Sequence, residues 1–163
     1  MVTIFDKQIT PDTVKELIDL IEKTEDVEVI IYISSEGGYV YSCRILTDYL
    51  SNKATEKNIS VIASGYIDSC AFEMLVDLNS NIYTRVAVLE GTTATVHKYS
   101  VSLDTRKLEQ MNSAANAKHK SMERVNFDLA NKLKLNHEQL TNFFSGENVY
   151  LDTPDITNIL KQL

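Results

Sequence analysis

Apolar residues at Val14, Leu17, Ile18 and Ile21 recur at i, i+3, i+4 and i+7, the spacing of a helix with one buried face. Thr10 or Asp12 stands where that helix needs its N-cap. The next apolar run, "VEVIIYIS", is continuous and β-branched, and turn signals "TED" and "SEGG" bound it. It predicts a short strand buried on both sides. Helical spacing resumes in "YVYSCRILTDYL" through Val40, Cys43, Leu46 and Leu50. A second strand, "ISVIASG", then hands over at "YIDSC" to another apolar helix. Helix, strand, helix, strand, helix in close succession predicts an α/β fold with a parallel sheet, right-handed crossovers and helices around it.

Beyond Asn79 the pattern shortens to strand-like pieces, "NIYTR", "AVLEG" and "TATVHKYS", separated by turn residues. From Leu103 to Leu133 no Pro or Gly interrupts a stretch rich in Ala, Lys, Glu and Met, which predicts one long helix. Its apolar positions Leu108, Met111, Ala115, Met122, Val125, Leu129 and Leu133 keep an approximate heptad spacing, and such a seam wants a partner. The helix either projects from the body to pack on another subunit or lies across its own sheet. The remainder holds a short helix, a Gly turn, a small "NVYL" strand and a last helix opened by Asp152 or Thr153 with Pro154 at its first position. With no internal repeat and no flexible linker, residues 1–163 read as a single domain.

Charge narrows the class. A net charge of −7 argues against a nucleic-acid footprint, which needs a basic face. No window reaches the roughly 18 apolar residues of a membrane span, and the N-terminus lacks a basic segment followed by an apolar core, so the chain reads as cytoplasmic. Cys43 and Cys70 are too few for a disulfide framework and are expected to be reduced and buried. His97, His119 and His137 are scattered, and no Gly-rich phosphate loop occurs, so neither a metal nor a cofactor is implied.

Candidate chemistry sits where strands end and helices begin, since open parallel sheets bind ligands there. At "SSEGGYV", Gly37 and Gly38 let backbone N–H groups approach a bound group, although a GG pair is also an ordinary turn. At the next junction Ser69 opens a helix, where it serves as an N-cap, a packed hydroxyl, a loop residue or a nucleophile. The two junctions are consecutive, so the N–H groups of Gly38 and Cys70 are placed to converge on an oxyanion formed as Ser69 attacks a carbonyl. His97, at the end of a β-branched run, is the candidate base.

The order "IYISSEGGYVYSCRILTDYL", "VIASGYIDSCAFEML" and "ATVHKYS" resembles the Clp protease proteolytic subunit, ClpP, of the ClpP/crotonase superfamily. That family carries an S-P-G-G turn, a G-x-A-A-S-M-G-A nucleophile segment and an M-I-H-Q-P base segment. The matching residues are Ser35–Gly38, Gly65–Phe72 and Thr95–Tyr99. The long helix resembles the family's handle, and "YLDTPDI" resembles its F-x-S-x-x-E-A segment, so nearly the whole chain is covered. The resemblance implies a repeated ββα/βαβ core with a long projecting handle helix at about 103–133. It makes Ser69 the nucleophile, His97 the base, and Gly38 and Cys70 the oxyanion donors.

The third place of the triad, where the family has aspartate, is taken by Asn148, with Glu147, Asp152 or a Ser-His dyad as alternatives. Asparagine orients a histidine but supplies no charge. Glu36 replaces the turn proline, Ile67 and Asp68 the small residues before the serine, and Tyr99 the proline after the histidine. The implied activity is a serine endopeptidase acting on peptides or unfolded proteins inside a homo-oligomeric ring, heptamer or tetradecamer. An AAA+ unfoldase is the implied partner; "VTIFDKQI" resembles the first body strand without the preceding axial-loop segment, which makes ring formation the firmer expectation. The alternatives are a weak or inactive assembly subunit, favoured by Asn148, Ile67 and Asp68, and, more remotely, a crotonase-type acyl-thioester enzyme.

Overall fold

The computed structural model describes residues 1–99 and 112–162, with side chains in the second stretch described from residue 120. Two compact units emerge, Met1–Val96 with Tyr150–Leu163, and His97–Val149.

The first unit is built on a parallel sheet of β1 (Val2–Phe5), β2 (Glu28–Ser35), β3 (Asn58–Ile67) and β4 (Thr84–Val88), ordered β1-β2-β3-β4. The crossovers are α1 (Pro11–Lys23), α2 (Val40–Lys53) and α3 (Cys70–Asn79). Thr10 caps α1 in a reciprocal box with Thr13. Its apolar stripe buries Val14, Leu17 and Ile21. Between Cys70 and Leu78 α3 buries seven residues, Ala71, Phe72, Val76 and Leu78 completely, which makes it the central helix of this unit.

Strand order explains one departure from the sequence pattern. Successive strands are added in one direction, so right-handed crossovers set every helix on the same face. Val29, Ile31 and Ile33 of β2 are buried on that face, while Ile30 and Tyr32 on the other are half-buried. On β1, Val2 and Ile4 are 65% and 71% exposed. The expectation of a strand buried on both sides is therefore corrected: within this unit the helices cover one face of the sheet.

A second pairing joins β5 (Ala94–Val96) to β6 (Val149–Leu151), and α6 (Thr153–Lys161) follows with Asp152 as its cap, which moves Pro154 from the first to the second helical position. Thr153 Oγ1 donates to the Thr92 carbonyl at 2.8 Å, and Asn79 Nδ2 to the Leu160 carbonyl at 2.9 Å, fixing α6 to this unit.

The second unit contains α4 (Asn112–Lys132) and α5 (His137–Ser145). Of the long helix expected over 103–133, the stretch 103–111, with Leu108 and Met111, lies outside the described residues. Leu129, Ala130 and Leu133 are buried, Met122 and Val125 half-buried, and Phe127 is 57% exposed. Among the described residues no helix is long and apolar enough to cross a membrane, and no cluster of three metal-ligating side chains occurs.

Candidate active site

The carboxyl end of β2 is where the first half of the site is made. Beyond Ile33 the β2–β3 register shifts, and Ser35 pairs with Ile67. Ser35 is buried; its hydroxyl donates to the Lys7 carbonyl at 2.7 Å and accepts from Gly37 N–H at 3.1 Å. Ile9 then straps the turn, donating its N–H to the Gly37 carbonyl at 2.8 Å and accepting from Tyr39 N–H at 2.9 Å. Gly37 has φ 85° and Gly38 φ 149°, conformations open to glycine. A Cβ on Gly38 would meet the Ile9 carbonyl oxygen at 2.3 Å, and one on Gly37 the Ser69 Cβ at 2.8 Å. The GG pair is thus a close approach of backbone to the serine junction.

Ser69 occupies that junction with φ 55° and ψ −130°, a region L-residues rarely enter. It precedes α3, yet its side chain makes no capping hydrogen bond. The N-cap and packed-hydroxyl readings therefore lose ground, since the half-buried hydroxyl does not serve the helix. The backbone holds the strained turn: Ser69 N–H donates to the Thr95 carbonyl at 2.7 Å, Asp68 N–H to the Ser35 carbonyl at 2.8 Å, and Phe72 N–H to the Ser69 carbonyl at 3.1 Å. A serine on a sharp, strained strand-to-helix turn is the geometry of a nucleophile elbow.

Cys43 and Cys70 are free and buried, as the composition implied. The Cys43 thiol donates to the Cys70 carbonyl at 2.8 Å. Hydrogen bonding to Cys70 and burial push the Cys43 thiol well above the ordinary thiol range. Cys70 moves the other way, held below it chiefly by the Cys43 hydrogen bond and also by the Gly38 N–H and its own N–H, against burial and Glu73.

His97 and Asn148 belong to the second unit. His97 Nδ1 lies 2.9 Å from the Lys98 carbonyl oxygen. A carbonyl only accepts, so the neutral ring carries its proton on Nδ1 and leaves Nε2 as the basic atom. The following residues are pinned within the unit. Lys98 Nζ donates to the Phe144 carbonyl at the end of α5 and stands 5.9 Å from that ring's centroid. Tyr99 N–H donates to Asn126 Oδ1 at 2.8 Å, and Asn126 Nδ2 to the Tyr99 carbonyl at 3.2 Å. Asn126 and Ser35 are buried side chains that hold backbone groups, a role sequence reasoning did not give them; the signal for Asn126 was a polar side chain among Val125, Leu129 and Ala130 on the buried side of a helix. Asn148 is exposed and directly precedes β6.

Comparison with known proteins bears on this arrangement. The family model described as Clp protease matches residues 1–150. Among solved structures 357 chains match. One is an Asn-to-Asp mutant of ClpP1 from Listeria monocytogenes, with a TM-score of 0.62 and 16% identity, covering 97% of this chain and 86% of the other. At that identity the likeness establishes the fold, a mixed α/β architecture around a parallel sheet. No curated protein matches. With 150 of its residues matched by the family model, the chain belongs to the Clp protease family.

Proposed function

We propose that the protein is a ClpP-type serine endopeptidase whose nucleophile is Ser69 and whose base is His97, acting on peptides or unfolded chains in an oligomeric ring. The observation that carries this reading is Ser69 itself: a strained φ of 55°, no capping role for its hydroxyl, and the Gly37 backbone packed against its Cβ. Strain of this kind is retained where the surrounding structure over-determines it, and it clusters at active sites. The uncovered sheet face with Val2 and Ile4 supports assembly, being surface of the kind that oligomers bury.

The chemistry follows the serine-hydrolase route. Ser69 Oγ attacks the scissile carbonyl while His97 Nε2 takes its proton, and Gly38 and Cys70 N–H groups stabilise the oxyanion. The protonated imidazole then gives that proton to the leaving amine, an acyl ester remains on Ser69, and a water activated by Nε2 hydrolyses it. The Lys98 carbonyl holds the Nδ1 proton throughout.

The assembly-subunit reading has its own support: Asn148 stands where the family has an aspartate, so that place supplies no charge to stabilise an imidazolium. One experiment separates the two. The purified chain is incubated with a fluorophosphonate beside Ser69→Ala and His97→Ala variants, and the modified residue is read by intact-mass and peptide mass spectrometry. Labelling at Ser69 that needs His97 supports the peptidase; an unlabelled Ser69 in a folded oligomer leaves the assembly subunit.

A further inference from the structure

Beyond Ile67 the chain continues a parallel ladder against the β5 segment, and one rung of it is not made by the backbone. The bridge between Tyr66 and Thr93 is regular: Thr93 N–H donates to the Gly65 carbonyl and Ile67 N–H to the Thr93 carbonyl, both at 2.9 Å. In a parallel ladder the next bonds run from Thr95 N–H to the Ile67 carbonyl and from Ser69 N–H to the Thr95 carbonyl. The second is present at 2.7 Å. In the first, Thr95 N–H instead donates to Asp68 Oδ1, at 2.6 Å. A carboxylate thus takes the place of a carbonyl at the turn where Ser69 adopts its positive φ.

Every polar group of Asp68 that these contacts involve faces the elbow. Its N–H binds the Ser35 carbonyl beside the glycine turn, its carboxylate binds Thr95, and its carbonyl accepts from Ala71 N–H in the first turn of α3 at 3.1 Å. Thr95 is held on both sides, by the Asp68 carboxylate and the Ser69 N–H, and His97 follows it two residues along the chain.

We infer that Asp68 is a positioning residue: its carboxylate replaces a missing ladder carbonyl and fixes both the strained Ser69 turn and Thr95, two residues before His97 in the chain. The inference rests on the Ser69–His97 reading above. It reverses the sense in which an acidic residue before the serine counts against activity. What the site needs from Asp68 is an acceptor at one place, which an amide oxygen also supplies, and charge is not required.

The test compares Asp68→Asn, Asp68→Glu and Asp68→Ala in the full chain by fluorophosphonate labelling rate across pH and by hydrogen exchange at the Thr95 amide. Asp68→Asn is expected to label at close to the parent rate, with the pH midpoint unmoved and Thr95 protected. Asp68→Glu, which keeps the charge and displaces the acceptor, and Asp68→Ala are expected to lose Thr95 protection and to label about 10²-fold more slowly, the effect of a displacement near 1 Å. Asp68→Asn as slow as Asp68→Ala, or Asp68→Ala as fast as the parent, overturns the inference. If the parent chain never labels, the peptidase reading fails, and Thr95 protection that survives Asp68→Ala separately overturns the clamp. If Asp68→Ala does not fold, the parent chain decides: a Thr95 amide exchanging like a loop amide overturns the inference, and one protected like the β3 amides upholds it.

Discussion

Gly37 and Ser69 touch where two strand ends meet: a Cβ built on Gly37 would stand 2.8 Å from the Ser69 Cβ and 2.7 Å from the Asp68 carbonyl oxygen. Neither neighbour can retreat, because one is backbone and the other belongs to a turn already tied to Ser35 and Thr95. Gly37→Ala therefore adds a steric clash to a φ of 85° that alanine disfavours. The expected outcome is a loss of about 2–3 kcal/mol in urea unfolding. Labelling of Ser69 is expected to fall even in the fraction that remains folded.

Replacing the serine should have the opposite effect on stability. At φ 55° and ψ −130° Ser69 stores strain that a glycine does not feel. Relief of about 1–3 kcal/mol outweighs glycine's larger unfolded-state entropy of about 0.5–1 kcal/mol. Ser69→Gly is expected to raise stability by about 1 kcal/mol while abolishing fluorophosphonate labelling. A destabilised Ser69→Gly in equilibrium unfolding would show that the turn is relaxed and that strain has no part in the site.

Much of this was legible in the chain because period and punctuation agree. Val14, Leu17 and Ile21 fall on one helical face, and the glycine turn and the serine junction terminate β-branched runs. The half-exposed side of β2 was not legible, since Ile30 and Tyr32 look the same to a pattern whether a helix covers them or not, and only strand order decides that. Nor was the support around the site. Asp68 looked like an intruder in a small-residue position, and its use emerges once Thr95 is known to lie within 2.6 Å of its carboxylate. Asn126 was silent, and Ser35 stood only as part of a motif match, for the same reason: each serves backbone groups whose need arises from the fold.

Acid should weaken the link between the C-terminal parts of α1 and α2. Glu22 accepts from Tyr49 Oη at 2.7 Å and pairs with Lys53 at 3.1 Å. The Tyr49 hydrogen bond first, then that of Lys53, holds its carboxyl below the ordinary value of 4.5. A carboxyl lowered in the folded state stabilises it above the unfolded pKa, and this contribution is lost as pH falls through the folded one. Glu22→Gln is therefore expected to lie below the parent chain in Tm at neutral pH, with the gap closing as pH drops under 4.5. In an NMR titration, Tyr49→Phe should move the Glu22 midpoint upward. A gap that widens in acid would contradict the assignment.

Asn148→Asp tests how the imidazole is held. In a serine triad, exchanging the aspartate for asparagine lowers turnover by about 10⁴, which sets the ceiling for the reverse exchange here. The Lys98 carbonyl already fixes the Nδ1 proton of His97 at 2.9 Å, so orientation is provided and charge is what an aspartate adds. On the proposed triad the expected result is faster labelling of Ser69 with the midpoint of its pH profile displaced upward, because a carboxylate facing the ring favours the imidazolium. A gain in rate with an unmoved midpoint would mean that the introduced carboxylate acts through packing or assembly, which sedimentation of the two proteins would reveal. No change in either would assign the third role to the Lys98 carbonyl and make the site a Ser-His dyad.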